Sequence, residues 1–195
     1  MAEGPRFRDA WPADRARYVD PEWPLGRRLR CLLLTKEIWI LYLFRLGSWI
    51  HEEAPAALRP LLKLVWVPLN DAVQTLLDTH IEPTTRIGPG LYIGHTGGIW
   101  INPAAVLGSH CNVAQGVVIG SAGTPRAPTI GDRVWIGPHA VVTGPVKVGN
   151  EAVIGANSLV AMDVPDKASV VGVPARVIAY PGSARLVKLP GEPSG

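Results

Sequence analysis

Ile130-Gly-Asp-Arg-Val-Trp-Ile136-Gly-Pro-His-Ala-Val-Val142-Thr-Gly-Pro-Val-Lys-Val148-Gly-Asn-Glu-Ala-Val-Ile154 places an aliphatic residue at every sixth position. Glycine usually follows it, as at Gly131, Gly137, Gly149 and Gly155, and a small residue such as Ala140, Ala152 or Ser158 comes four positions after it. A period of six fits neither the 3.6 of a helix nor a long alternating strand. It fits a solenoid in which each hexad supplies one short strand and one turn. The aliphatic then points inward, the small residue fills the remaining interior, and glycine permits close approach at the corner.

The same period runs outward in both directions. Upstream it takes in Ile81, Ile87 and Ile93, then Ile101, Leu107, Val113 and Ile119, with Ala105, Cys111 and Val117 as the small or medium partners; downstream it reaches Val160. Three hexads per coil predict about four coils, stacked roughly 4.8 Å apart as neighbouring strands are. The period breaks twice, at His95-Thr-Gly-Gly-Ile-Trp100 and at Gly120-Ser-Ala-Gly-Thr-Pro-Arg-Ala-Pro128. A solenoid admits insertions only at its corners, and loops that leave there commonly carry function. Beyond Val160 the pattern dissolves.

Before the repeat the texture changes. Residues 1–24, broken by Pro5, Pro12, Pro21 and Pro24, read as an irregular arm without a secretory signal. Residues 25–79 read as helices, Leu25 to His51 and then Ala56 to Thr79, parted at Glu53-Ala-Pro55. The apolar runs Cys31–Leu34 and Ile38–Phe44 are interrupted by Lys36, Glu37 and Arg45 and fall short of the roughly 18 apolar residues of a bilayer span. They are expected to be buried, or docked on a partner subunit; Arg27, Arg28 and Arg30 leave a peripheral membrane contact as the weaker alternative. The repeat occupies residues 80–178, and residues 179–195 are expected to form a loose tail.

Composition narrows the function classes. A net charge of +3 over 195 residues argues against a nucleic-acid partner held by phosphate neutralisation. Two distant cysteines, Cys31 and Cys111, cannot build a disulfide framework or a cysteine-rich zinc site, and a reducing cytoplasm suits them. Cys111 falls at the fifth hexad position, where it acts as a small hydrophobe.

These motifs are similar to those of a known family. Ile87-Gly-Pro-Gly-Leu-Tyr-Ile-Gly-His-Thr-Gly-Gly-Ile99, Val113-Ala-Gln-Gly-Val-Val-Ile-Gly120, Ile130 to Gly137 and Gly172-Val-Pro-Ala-Arg176 resemble the hexapeptide-repeat acyltransferases. Within them the match is to the serine acetyltransferase group and its polysaccharide-biosynthesis relatives; Phe44-Arg-Leu-Gly-Ser-Trp49 looks like part of their helical region. The resemblance implies an all-β left-handed parallel β-helix behind N-terminal helices, assembled as a homotrimer with sites between neighbouring β-helices; pairing of two trimers stays open. It implies acetyl-CoA as co-substrate, no metal, and a small acceptor bearing a hydroxyl. His95 stands where the family has its catalytic histidine. Departures concern the acceptor: Gly94 replaces an aspartate, Ala127 a histidine beside the retained Arg126, and His80 the aspartate that orients the catalytic ring. Free L-serine and a sugar of a surface polysaccharide are therefore both candidates, with the departures tilting away from serine.

The chemistry asks for few groups. An alcohol attacks a thioester only if a base takes its proton, and imidazole, with an ordinary pKa near 6.5, suits that task. His95 is assigned as this base, against the plainer reading of a hydrogen-bonded turn histidine. Supporting roles fall to His80 and Glu82, or Asp78, and the oxyanion needs donors such as the N–H groups of Gly97, Gly98 or Gly120. The resemblance places the pantetheine arm along Gly120, Pro138, Ala140 and Ala156, with Arg176 at the CoA phosphates. Arg126 is suited to an acidic group of the acceptor. His110 and His139, at the exposed fourth hexad position, read as solvated turn residues, with a place near the pantetheine path as the alternative for His139. A non-catalytic scaffold with a docking helical region is the competing class.

Overall fold

Ile130 pairs with Val148 and Ile136 with Ile154, each 18 residues apart, so three hexads make one coil. In the computed structural model, which describes residues 5–191, all strands of the repeat pair in parallel with the strand one coil away. Where an insertion intervenes the spacing stretches: Ile81 pairs with Ile101 and Ile119 with Val142. The added residues therefore leave at corners and do not shift the register.

Three sheets result. Face A holds β1 (Thr79–Ile81), β4 (Ile99–Ile101), β7 (Val118–Gly120), β10 (Val141–Thr143) and β13 (Leu159–Val160). Face B holds β2 (Arg86–Ile87), β5 (Val106–Leu107), β8 (Thr129–Ile130) and β11 (Lys147–Val148). Face C holds β3 (Tyr92–Ile93), β6 (Asn112–Val113), β9 (Trp135–Ile136), β12 (Val153–Ile154), β14 (Ser169–Gly172) and, antiparallel to it, β15 (Ala175–Ala179). The thirteen hexad aliphatics are all buried, and with the small fifth-position residues they fill one continuous interior. The fourth position takes left-handed backbone even without glycine, at His110, Arg133, His139, Glu151, Asn157 and Lys167.

The solenoid has five coils and not four. Val164 bridges to Val148, and Val170 pairs with Ile154, both buried. The last coil is shortened between Val160 and Val164, which is why the period of six is lost in the sequence while the stacking continues.

Four helices precede the coils: α1 (Phe7–Ala16), α2 (Leu25–Leu34), α3 (Lys36–Glu52) and α4 (Arg59–Leu77). The first of them lies in the segment expected to be irregular. It is held by tertiary contacts, because Asp14 is fully buried against the solenoid. Asp14 Oδ1 accepts from Gly90 N (2.8 Å) and Leu91 N (2.9 Å), and Arg45 of α3 grips the carboxylate through Nε (2.7 Å). Arg45 also donates to Ile87 O and Gly88 O (both 2.7 Å), so one guanidinium joins α1, α3 and the first coil. Gly47, in the same motif, is required by packing: an added Cβ would lie 2.2 Å from the Trp66 ring of α4. Ile40, Leu41 and Phe44 of α3 join the solenoid core.

Two further expectations are corrected. The run Cys31–Leu34 is not buried; no residue of α2 is. The tail is not loose up to Gly191: Ser183 and Val187 are fully buried, Ser183 Oγ donates to Arg133 O, and Asn112 Nδ2 donates to Leu186 O (3.2 Å), which straps the segment across face C. Among the described residues no helix is long and apolar enough to cross a membrane.

Candidate active site

His95 leaves the solenoid at the corner between faces C and A, after β3. Its side chain is exposed, and no described residue hydrogen-bonds it. The corner itself is held firmly. Asp78, which ends α4 in a left-handed conformation (φ 45°), accepts from Gly98 N at 2.8 Å, and Thr79 Oγ1 accepts from Gly97 N at 3.3 Å. Two of the three candidate oxyanion donors, the amides of Gly97 and Gly98, are thus engaged in shaping the loop that carries His95. Asp78 is the anchor. Its signal in the sequence was only its place at the end of a helical run, so a structural role could not be separated from an orienting one.

Below this corner the coils stack in a column. Gly116 N donates to Gly97 O (2.7 Å), His139 N to Gln115 O (2.9 Å) and Asn157 N to Pro138 O (2.9 Å). Gly116 (φ 70°) must be glycine, since a Cβ there would fall 2.1 Å from Nδ1 of His139. His139 is exposed at its turn, as its hexad position predicts, and its ring covers the corner next to that of His95. At the foot, Gly172 N donates to Ser158 Oγ (3.2 Å), which places the β14–β15 turn and the exposed Arg176 on this same edge. Four steps of about 4.8 Å put the two ends of the column roughly 19 Å apart. Pro138 and Ala156 lie along it, while Ala140 is turned inward and fully buried. Ala140 thus supplies wall backbone and no side-chain contact.

The remaining assigned residues lie elsewhere. Glu82, Gly120 and Arg126 belong to the other end of face A, at the corner with face B, where the 121–128 insertion leaves. Arg126 is exposed and borders a cavity of about 320 Å³ with Lys147 and Pro145. His80 sits between the two corners on the outward side of β1. It stacks on Trp100 with centroids 3.9 Å apart, and its Nε2 is 3.7 Å from Asp78 Oδ1. Within one chain, then, His95 and Arg126 flank face A from opposite edges.

Two other groups are set aside by their surroundings. Burial pushes the Cys111 thiol up to about 12, so it carries no thiolate near neutrality. Burial, then Arg17 and Arg133, lower the pKa of His110, whose ring packs against Gly90 on the corner between faces B and C.

Residues 127–161 match the family model "Bacterial transferase hexapeptide (six repeats)". The serine acetyltransferase of Mycobacterium tuberculosis is 33% identical over 166 residues, covering 84% of this chain and 69% of the relative. The chain belongs to the serine acetyltransferase family. The Synechococcus elongatus serine acetyltransferase is likewise 33% identical, over 159 residues and 79% of this chain, and the chain spans 62% of that relative's length. The structure of soybean serine acetyltransferase complexed with serine superimposes with a TM-score of 0.72 at 31% identity, covering 89% of this chain and 70% of that one. The structure of Neisseria gonorrhoeae serine acetyltransferase superimposes with a TM-score of 0.73 at 29% identity, covering 89% of this chain and 65% of that one.

Proposed function

We propose that this serine acetyltransferase family member transfers an acetyl group from acetyl-CoA to the hydroxyl of serine, with His95 as general base. The observation that carries the reading is the C–A edge: an unencumbered imidazole at its head, corners of Gly97, Gly116, Pro138 and Ala156 below it, and Arg176 at its foot. Such an edge leaves room for an extended pantetheine arm along backbone, with a cation where phosphates would end. As the hydroxyl oxygen attacks the thioester carbonyl, its proton passes to His95; the carbon–sulfur bond then breaks and the imidazolium returns the proton to the sulfur. The products are the acetyl ester and the free thiol. A sugar hydroxyl is the second reading, favoured by Gly94, Ala127 and His80 at the family's acceptor-contacting and orienting positions. Thiol release from acetyl-CoA over L-serine and a set of sugars tests both, with serine expected to give the fastest release. Silence with every acceptor would mean a scaffold.

Face A supports assembly. Its outward side chains Trp100, Val118, Val141 and Leu159, with His80 stacked on Trp100, form a largely apolar column between the His95 and Arg126 edges, whereas face B presents Arg86, Val106, Thr129 and Lys147 and face C is overlaid by Tyr18 and the tail. Packing copies around face A in a trimer would bring His95 of one copy beside Arg126 of the next. Coexpressed His95→Ala and Arg126→Ala chains are then expected to regain about a quarter of wild-type activity, the share of intact sites under random assembly. Mixed assemblies as inactive as the single variants would exclude a shared site.

A further inference from the structure

Leu25, Leu29 and Leu33, spaced four residues apart, form one stripe along α2 and are 67%, 50% and 64% exposed. Trp39, 45% exposed, adjoins it, its Nε1 donating to Leu33 O at 3.2 Å. Since no residue of α2 is buried, these leucines serve neither core of the chain. Arg28 and Arg30, the neighbours of Leu29, project about 100° to either side of the stripe. Arg27 lies over the Trp23 ring at 3.9 Å, and from Trp23 to Lys36 there is no acidic residue.

We propose that α2 seats the protein on an anionic membrane surface, its leucine stripe and Trp39 in the acyl boundary and its arginines at the lipid phosphates. A leucine stripe rimmed by cations, with tryptophan beside it, is the composition of a helix lying in the interface plane. A second copy is disfavoured as occupant because pairing the stripe with itself sets one arginine rim against another. α4 offers a weaker case: it also exposes Leu61, Leu64, Val65 and Leu76, but it carries Arg59 and Lys63 with Asp71, whereas α2 carries three arginines and no acid. Of these two helices α2 has the higher net positive charge beside its exposed leucines. The proposal is independent of the acetyl acceptor.

Cosedimentation of the full chain with phosphatidylcholine vesicles, with and without phosphatidylglycerol, tests it. Binding is expected only with phosphatidylglycerol and should weaken as salt rises. Arg27→Gln/Arg28→Gln/Arg30→Gln should weaken it about a hundredfold, at about fivefold per charge. Leu29→Glu/Leu33→Glu should remove it while leaving thermal unfolding unchanged, because both residues are exposed. Failure to bind phosphatidylglycerol vesicles, equal binding to phosphatidylcholine alone, or retained binding in the leucine variant each overturns the proposal. So does self-association of the wild type that the leucine variant abolishes, which would assign the stripe to a second copy.

Discussion

Turnover is expected to fall by at least ~10²–10⁴-fold when His95 is replaced by alanine, the range a positioned base contributes. The geometry makes this a clean experiment. The ring bonds to no described residue, whereas the loop beneath it is held through Gly97 and Gly98 by Thr79 and Asp78. Removing the imidazole therefore takes away a proton acceptor and no structural tie. The kcat should collapse while thermal unfolding and acetyl-CoA binding stay at wild-type values. Near-normal turnover would end the assignment of His95, and a lowered melting temperature would mark the ring as a structural prop instead.

The second large effect lies far from that edge. Arg45→Ala is expected to destabilise the chain by about 3–5 kcal/mol, as breaking one side of a buried ion pair does. It strands the Asp14 carboxylate, which is fully buried, and leaves the carbonyls of Ile87 and Gly88 without their donor. Burial raises the Asp14 pKa and Arg45 opposes that rise, so loss of the guanidinium leaves a carboxyl that favours its protonated form. Asp14→Ala should cost a similar amount by stranding the cation. For a domain of this size the melting temperature should drop on the order of 10 °C. Hydrogen exchange should show the loss in α1, α3 and the first coil. Unchanged melting in both variants would refute the latch.

The inner wall of the solenoid was legible because each hexad is a local rule: every first-position aliphatic from Ile81 to Val160 is buried as its place in the period requires. The two insertions were legible for the same reason, as departures from a constant. Where the rule changes length the reading failed, and Val164 and Val170 carry on the stack after a shortened turn. α1 was missed because its proline and charges obscure the pattern, and what holds it is Asp14 meeting Gly90 and Leu91, a contact between residues 76 and 77 positions apart.

Sequence alone determined a six-residue repeat, its inward residues, and a histidine at a corner, because these follow from spacing along the chain. The tertiary structure decided which corners share an edge. Winding three strands per coil sets His95, Gly116, Pro138 and Arg176 in one column while sending Arg126 to the far side of face A. It also decided that α2 stays outside while α3 enters the core, because burial depends on which helix meets the open first coil, and Arg45 ties α3 there.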